Sequence, residues 1–171
     1  MDFNIEVKNA LKAKHNFKTN PHLYIPHYYT QLSSQRLIVM EFVRGSKINN
    51  RQEIEQAGID PKKVAYNLVN IFTEMIYQHR FIHCDAHPGN ILVKPCPSAP
   101  LGHQIILLDH GLYRSVSEET VKNFSGLWVN LVLQDRGKVH EYAEKLNIHE
   151  HYEYLPLIFL HRSASSKKRI G

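Results

Sequence analysis

Phe81-Ile82-His83-Cys84-Asp85-Ala86-His87-Pro88-Gly89-Asn90, with Asp109-His110-Gly111 further on, is the stretch of this 171-residue chain whose reading decides the fold. Asp85 and Asn90 stand five positions apart, and Pro88 and Gly89 between them suit a tight turn. An acid and an amide on one rigid loop can divide the labour of group transfer. In such a division the acid would face an attacking hydroxyl and the amide would turn back toward a metal. Asp109 follows an apolar run, Ile105 to Leu108, so its carboxylate can emerge at a strand end and reach the same metal. Alone, Asp-x-Gly is a turn former; the loop upstream gives it chemical meaning.

Outward from that loop, the composition is that of an ordinary globular chain, 43% hydrophobic and 22% charged, with length for one sizeable core. The net charge of +5 is spread along the sequence except at Lys167, Lys168 and Arg169, which read as a solvated tail rather than a nucleic-acid or lipid patch. Cys84 and Cys96 offer no disulfide framework and fit a reducing compartment. No apolar run is long enough to span a bilayer, and Asp2 and Glu6 near the start do not resemble a cleavable leader.

The periodicities place elements on both sides of the loop. Phe3, Val7, Ala10 and Leu11 share one helical face, which predicts a helix over about residues 2–17, stopped at Asn20 and Pro21. Tyr24–Gln31 and Arg36–Phe42 read as two strands of a hairpin turning at Leu32-Ser33-Ser34-Gln35, the second apolar enough to be buried. Asp60 and Pro61 start a helix whose stripe is Val64, Leu68, Phe72, Met75 and Ile76, and which delivers the chain into the His83–Asn90 loop. Ile91-Leu92-Val93 and Ile105–Leu108 are short strands around a Pro-rich loop, Lys94–Gln104. Ser115 with Glu118 suggests a capping box opening a helix with the stripe Val121, Phe124, Trp128, Leu131, Val132; a shorter helix follows near 138–147. The end, Ser163–Gly171, is small, polar and basic and is expected to fray.

This order of elements is that of a protein kinase from its N-lobe helix onward, where H-R-D-L-x-x-x-N supplies the catalytic Asp and a metal-binding Asn, and D-F-G a second metal ligand. The fuller string His83-x-Asp85-x-His87-Pro88-Gly89-Asn90 with Asp109-His110-Gly111 resembles the UbiB family, the aarF-domain-containing atypical kinases, in its D-H-G branch. The resemblance implies an α+β protein-kinase-like fold: a partial N-lobe of one helix and a β-hairpin over 1–44, a mostly helical C-lobe over 45–162, and a basic tail over 163–171. It implies ATP and Mg2+ as cofactors, Asp85 as the catalytic-loop acid, Asn90 and Asp109 as metal ligands, and His83, His87, Gly89 and Gly111 as residues that shape the loops. Glu6 matches the helix glutamate that pairs with a nucleotide-binding lysine, and Asp2 the second acid of an E-x-D element. Met40-Glu41-Phe42-Val43 resembles a hinge whose main chain at Glu41 and Val43 meets adenine. The family suggests a mitochondrial role in coenzyme Q or lipid homeostasis, a small-molecule or lipid substrate, and no nucleic-acid partner. Peripheral membrane contact is left open.

The pattern is also departed from. A kinase clamps phosphates with a small-residue loop and a strand lysine before this first helix. Here the first glycine is Gly45, and Lys8, Lys12 and Lys14 lie on the helix itself. The expectation is therefore a truncated chain that binds nucleotide weakly, turns over nothing by itself and exposes apolar surface on its helix and hairpin. The competing reading is a non-catalytic pseudokinase or interaction module. Between Gly111 and the next helix there is no room for a long peptide platform, which argues for a small-molecule, lipid or ATPase role. A zinc site from His83, Cys84, Asp85 and His87 is the remaining reading; it is disfavoured because the cluster lacks C-x-x-C and Pro88-Gly89 breaks any helical His pair.

Overall fold

The computed structural model describes residues 2–160; the tail expected at Ser163–Gly171 lies outside the described residues. The chain divides into two compact units after Ser115.

In the first unit, helix α1 spans Phe3–Asn16. Asp2 caps it, its Oδ1 accepting the Asn4 amide at 2.9 Å, which satisfies one of the orphan donors of the first turn. Val7, Ala10, Ala13 and Phe17 form the buried face, and the two alanines let the helix lie close on its neighbours. Helix α2, Arg51–Gln56, is short and capped by Asn50. Helix α3, Pro61–Glu74, starts where Asp60 accepts the Lys62 amide at 2.8 Å and buries Val64, Asn67 and Ile71. It runs on into a single π turn, Met75–His79, in which residues five apart come level, and Glu74 takes the His79 ring at 3.0 Å. Arg80 closes that turn in the left-handed region, φ 51°, and swings the backbone into β3, Phe81–His83.

Two sheets complete the unit. Strands β1 (Leu23–Tyr24), β2 (Ser46–Lys47), β4 (Ile91–Pro95) and β5 (His103–Leu107) form one sheet in the order β1-β5-β4-β2, with β1 parallel to β5 and the other pairs antiparallel. The second sheet pairs β3 with β6, Tyr113–Ser115, so that His83 stands opposite Tyr113. The core joins Val7, Ala10 and Phe17 of the α1 region to Ile71 and Met75, and to Ile91, Ile105 and Leu107 of the sheet. The elements that flank the His83–Asn90 loop on either side are thus fixed in one apolar interior.

Several expectations need correcting. The segments Tyr24–Gln31 and Arg36–Phe42 do run antiparallel, with bridges Tyr28 to Met40 and Ser34 to Leu37, but they form no continuous ladder. Pro26 removes a donor and a 3-10 turn at Thr30–Leu32 interrupts the extended backbone. The turn sits at Ser34–Leu37, later than expected. Without a full sheet over it the second segment is only half-buried, and Leu37 is 55% exposed. The capping residue of the next helix, α4 (Glu118–Leu133), is Ser117, which accepts the Thr120 amide at 3.0 Å; Ser115 is spent as the last residue of β6. Both β3 and β6 were unexpected, since three residues leave no periodicity to read.

In the second unit, α4 (Glu118–Leu133), α5 (Arg136–Lys145), a 3-10 stretch at His149–Tyr154 and α6 (Leu155–Leu160) enclose Leu127, Leu131, Val139, Ala143 and Leu155. The inward face of α4 is rotated from the expected stripe: Leu127 is buried, while Trp128 and Val132 are partly open. Trp128 instead meets Phe159 edge to face at 5.6 Å.

Two stability predictions follow from the first unit. A Cβ on Gly45 would fall 2.9 Å from the Val93 carbonyl oxygen and 3.1 Å from the Leu92 Cβ. Neither atom belongs to a flexible side-chain end, so Gly45→Ala should cost about 1–3 kcal/mol in urea unfolding, as overpacking does. His103 is fully buried, holds the Asn67 amide at 3.3 Å and the Leu101 carbonyl at 3.0 Å, and burial pushes its pKa down from 6.5. The unfolded chain therefore takes up a proton that the folded chain resists, and stability present above pH 6.5 is lost as pH falls through that value. His103→Gln should show a shallower fall of Tm between pH 7 and pH 5 than the parent, measured by thermal melts across that range.

Candidate active site

His83 ends β3 buried, and both of its ring nitrogens are used. Nδ1 accepts the Asp85 amide at 3.1 Å, so the proton sits on Nε2, which donates to the Asp109 carbonyl at 2.8 Å. Burial pushes the His83 pKa down, opposed by the Asp109 carbonyl and by nearby carboxylates, and the neutral ring is the form this pattern requires. Cys84 extends the β3–β6 pairing through its amide to the Leu112 carbonyl, at 3.0 Å. The loop then leaves the sheet, and the Asp85 side chain stands exposed, its carboxylate taking no hydrogen bond among the described residues.

His87 opens a 3-10 turn, Pro88–Asn90. Its Nδ1 accepts the Gly89 amide at 3.1 Å and its carbonyl accepts the Asn90 amide at 3.0 Å. A Cβ on Gly89 would lie 2.7 Å from the His87 ring, so glycine is what lets the imidazole fold over the turn. The turn presents Asn90 to Asp109: Asn90 Nδ2 donates to Asp109 Oδ2 at 3.2 Å, and the Gly111 amide donates to Asp109 Oδ1 at 2.8 Å. The Leu108 amide reaches back to the Asn90 carbonyl at 3.0 Å and Tyr28 donates its hydroxyl to the Leu108 carbonyl at 3.1 Å, which fixes the backbone before Asp109.

His110 is fully buried where the related D-x-G sequences of protein kinases carry Phe. Its Nε2–H donates to the Leu107 carbonyl at 3.2 Å and its Nδ1 accepts the Tyr113 hydroxyl at 3.0 Å, with the two rings stacked. Burial pushes its pKa down to about 4 and raises that of Tyr113, so both remain neutral. On the other side, α1 reaches the same turn. The His110 amide donates to Glu6 Oε1 at 3.4 Å, and Asn9 Nδ2 donates to the His110 carbonyl at 2.9 Å. Burial raises the Glu6 pKa, the His110 amide lowers it and Asp109 raises it again; among the described residues no cation enters that balance.

Of the residues expected at the site, Glu6, His83, Asp85, His87, Gly89, Asn90, Asp109 and Gly111 are joined by this network. Glu41 and Val43 make no hydrogen bond to it. The Glu41 carboxylate is braced by the Tyr24 hydroxyl at 2.7 Å and the His27 amide at 3.0 Å, and those bonds, the His27 amide first, hold its pKa down. Its carbonyl and the Val43 amide take no partner among the described residues. Asp2 serves as the α1 cap. Asn9, Tyr28 and Tyr113 were not foreseen; Asn9 alone had a signal, since three residues after Glu6 it shares that residue's face.

The ABC1 atypical kinase-like domain matches residues 1–143. The AarF domain-containing protein kinase 1 of Gallus gallus is 37% identical over 169 residues, 99% of this chain and 32% of its own length. The protein of the same name from Xenopus laevis is 37% identical over 171 residues, again 32% of its length, so the chain spans about a third of these relatives. Among solved structures, the complex structure of Rv3197-erythromycin from Mycobacterium tuberculosis matches with a TM-score of 0.63 at 17% identity, covering 84% of this chain and 34% of that one. At that identity the likeness carries the fold, which is the α+β kinase-like arrangement expected. With the loop string, the domain match and the relatives in agreement, the chain belongs to the ABC1, or AarF domain-containing, family of atypical kinases, the UbiB family that its His83–Asn90 string resembles.

Proposed function

We propose that this chain carries the acceptor and metal half of a phosphotransfer site that uses Mg2+ and ATP. The observation that carries the reading is the meeting of Asn90 and Asp109 at 3.2 Å, on a loop whose Asp85 carboxylate takes no hydrogen bond among the described residues. The donor set fits the metal: Mg2+ takes one or two protein oxygens and completes its shell with water and phosphate. Asp109 would supply a carboxylate oxygen and Asn90 its amide oxygen, after the amide turns over from its present bond. Bound there, the ion would neutralise charge on the transferring phosphate. The protein's own part is positional: Asp85 orients the acceptor hydroxyl, His83 holds the loop to the Asp109 backbone, and the open carbonyl of Glu41 and amide of Val43 meet adenine. The short passage from Gly111 to α4, part of it β6, favours a small-molecule or lipid acceptor over a peptide. For the whole protein we infer the family's setting, mitochondrial coenzyme Q or lipid homeostasis.

A second reading is supported by Glu6. A half-buried carboxylate beside Asp109, with no cation paired to it among the described residues, is an electrostatic cost, and a site in that state is suited to weak nucleotide binding or to a pseudokinase role rather than turnover. The two readings separate in one experiment. Fluorescent ADP should bind the chain in a Mg2+-dependent way, Asp109→Asn and Asn90→Ala should each weaken that Mg2+-dependent binding at least about tenfold, and Asp85→Asn should leave it intact. Binding indifferent to Asp109 and Asn90 would sink the metal assignment. Phosphoryl transfer by the chain should not exceed that of Asp85→Asn, and Asp85-dependent transfer would overturn the inactive reading.

The Glu6 carboxylate also makes a pH prediction. Its folded pKa is raised above 4.5, so ionised Glu6 costs stability at neutral pH, and that cost disappears as pH falls below its raised pKa. Glu6→Gln keeps an oxygen for the His110 amide and should raise Tm at pH 7. The gain should shrink toward pH 4, which melts at the two pH values will read.

A further inference from the structure

We propose that Asn9 is a positioning residue of this site: its amide holds the metal-binding turn to α1 by a neutral bond to the His110 carbonyl, so that the place of α1 sets the aim of Asp109. The inference rests on reading Asp109 as a metal ligand, and goes beyond it.

The acceptor is a carbonyl, which has no proton to give, so the nitrogen of the Asn9 amide must face it; at 2.9 Å the bond is short. Glu6, three residues earlier on the same face, takes the amide of that same His110 at 3.4 Å. The amide lies in the peptide that joins Asp109 to His110, and the carbonyl in the peptide that joins His110 to Gly111. Both peptide planes around the turn are therefore held from one helix. Beyond Asp109 sits Gly111, whose amide donates to Asp109 Oδ1 at 2.8 Å, so the second plane controls a donor that orients the carboxylate directly.

The His110 side chain cannot do this work. It faces away, engaged with the Leu107 carbonyl and the Tyr113 hydroxyl. Glu6 is poorly placed to do it, since its contact is long and two carboxylates, its own and that of Asp109, repel across the turn. Asn9 carries no charge, so its bond is unaffected by that repulsion and opposes it. A shift of α1 by about an ångström would break a hydrogen bond of 2.9 Å and release the turn. The nucleotide half-site and the helix are thereby coupled without requiring an ion pair.

The test uses Asn9→Leu, of similar size without a donor, and Asn9→Asp, which keeps the shape and sets an oxygen against the carbonyl. Amide hydrogen exchange of the nucleotide-free chain should quicken about fivefold at His110 and Gly111 in either variant, with no change in α3, the loss expected for one net hydrogen bond. The Mg2+-dependent part of ADP binding should weaken by about the same factor while Mg2+-free binding holds. Unchanged exchange at His110 and Gly111, or acceleration that reaches α3 equally, would overturn the proposal. Should the parent chain take up no Mg2+-nucleotide, the metal reading of Asp109 fails, and the exchange arm still decides whether Asn9 is the latch.

Discussion

The site depends first on one imidazole. His83 takes the Asp85 amide on one nitrogen and gives its proton to the Asp109 carbonyl from the other, so two loops separated in sequence share one rigid spacer. A hydrogen bond nets roughly 1 kcal/mol in folding, but a buried partner left unmade costs about 1–3 kcal/mol, so the bridge is worth more in what it prevents. A charged ring would have no acceptor to offer Asp85. Burial, by holding His83 neutral, is therefore part of the geometry and not only of the core.

The same logic admits a histidine at position 110, where an apolar ring would ordinarily be placed. Buried imidazole is costly only while a nitrogen lacks a partner. Here the Leu107 carbonyl and the Tyr113 hydroxyl fill both, and stacking on Tyr113 supplies the apolar contact that phenylalanine would make. Tyr28 adds a hydroxyl to the Leu108 carbonyl, so the carbonyls of Leu107, Leu108 and Asp109 are each held by a side chain, of His110, Tyr28 and His83 in turn. A polar interior of this kind is specific where it is fully satisfied, because each donor has one acceptor within reach.

Much of this was legible from the residues, and the illegible part has a common cause. α3 announced itself through Asp60, Pro61 and a long stripe, and α1 through Phe3, Val7 and Ala10, because periodicity over a dozen residues is a signal that tertiary contacts rarely override. The loop from His83 to Asn90 could be identified because its chemistry needs fixed residue types at fixed spacing. β1, β3 and β6, two or three residues each, leave no period, and their pairing follows from what lies across from them. The half-exposed segment at Arg36–Phe42 failed for the opposite reason: its composition read as buried, yet burial needs a covering layer that composition does not report. Asn9 was passed over because an asparagine within a helix is neutral by propensity, and only the neighbouring turn gives it a partner.

The network also divides the site into what is finished and what is bare. The groups around Asp109 are largely spoken for: His83 donates to its carbonyl, Tyr28 to the Leu108 carbonyl and Asn9 to the His110 carbonyl, while Asn90 and the Gly111 amide donate to its carboxylate. Two other carboxylates carry less: that of Asp85 takes no hydrogen bond among the described residues, and Glu6, which accepts the His110 amide at 3.4 Å, faces Asp109 with a raised pKa. Fixed donors and unneutralised acids are the arrangement in which a cation does most, since it finds oxygens already aimed and repulsion waiting to be relieved. A positive charge brought between Glu6 and Asp109 would relieve their repulsion, and the neutral Asn9 bond, which joins α1 to the same turn, would then hold the two without that repulsion against it.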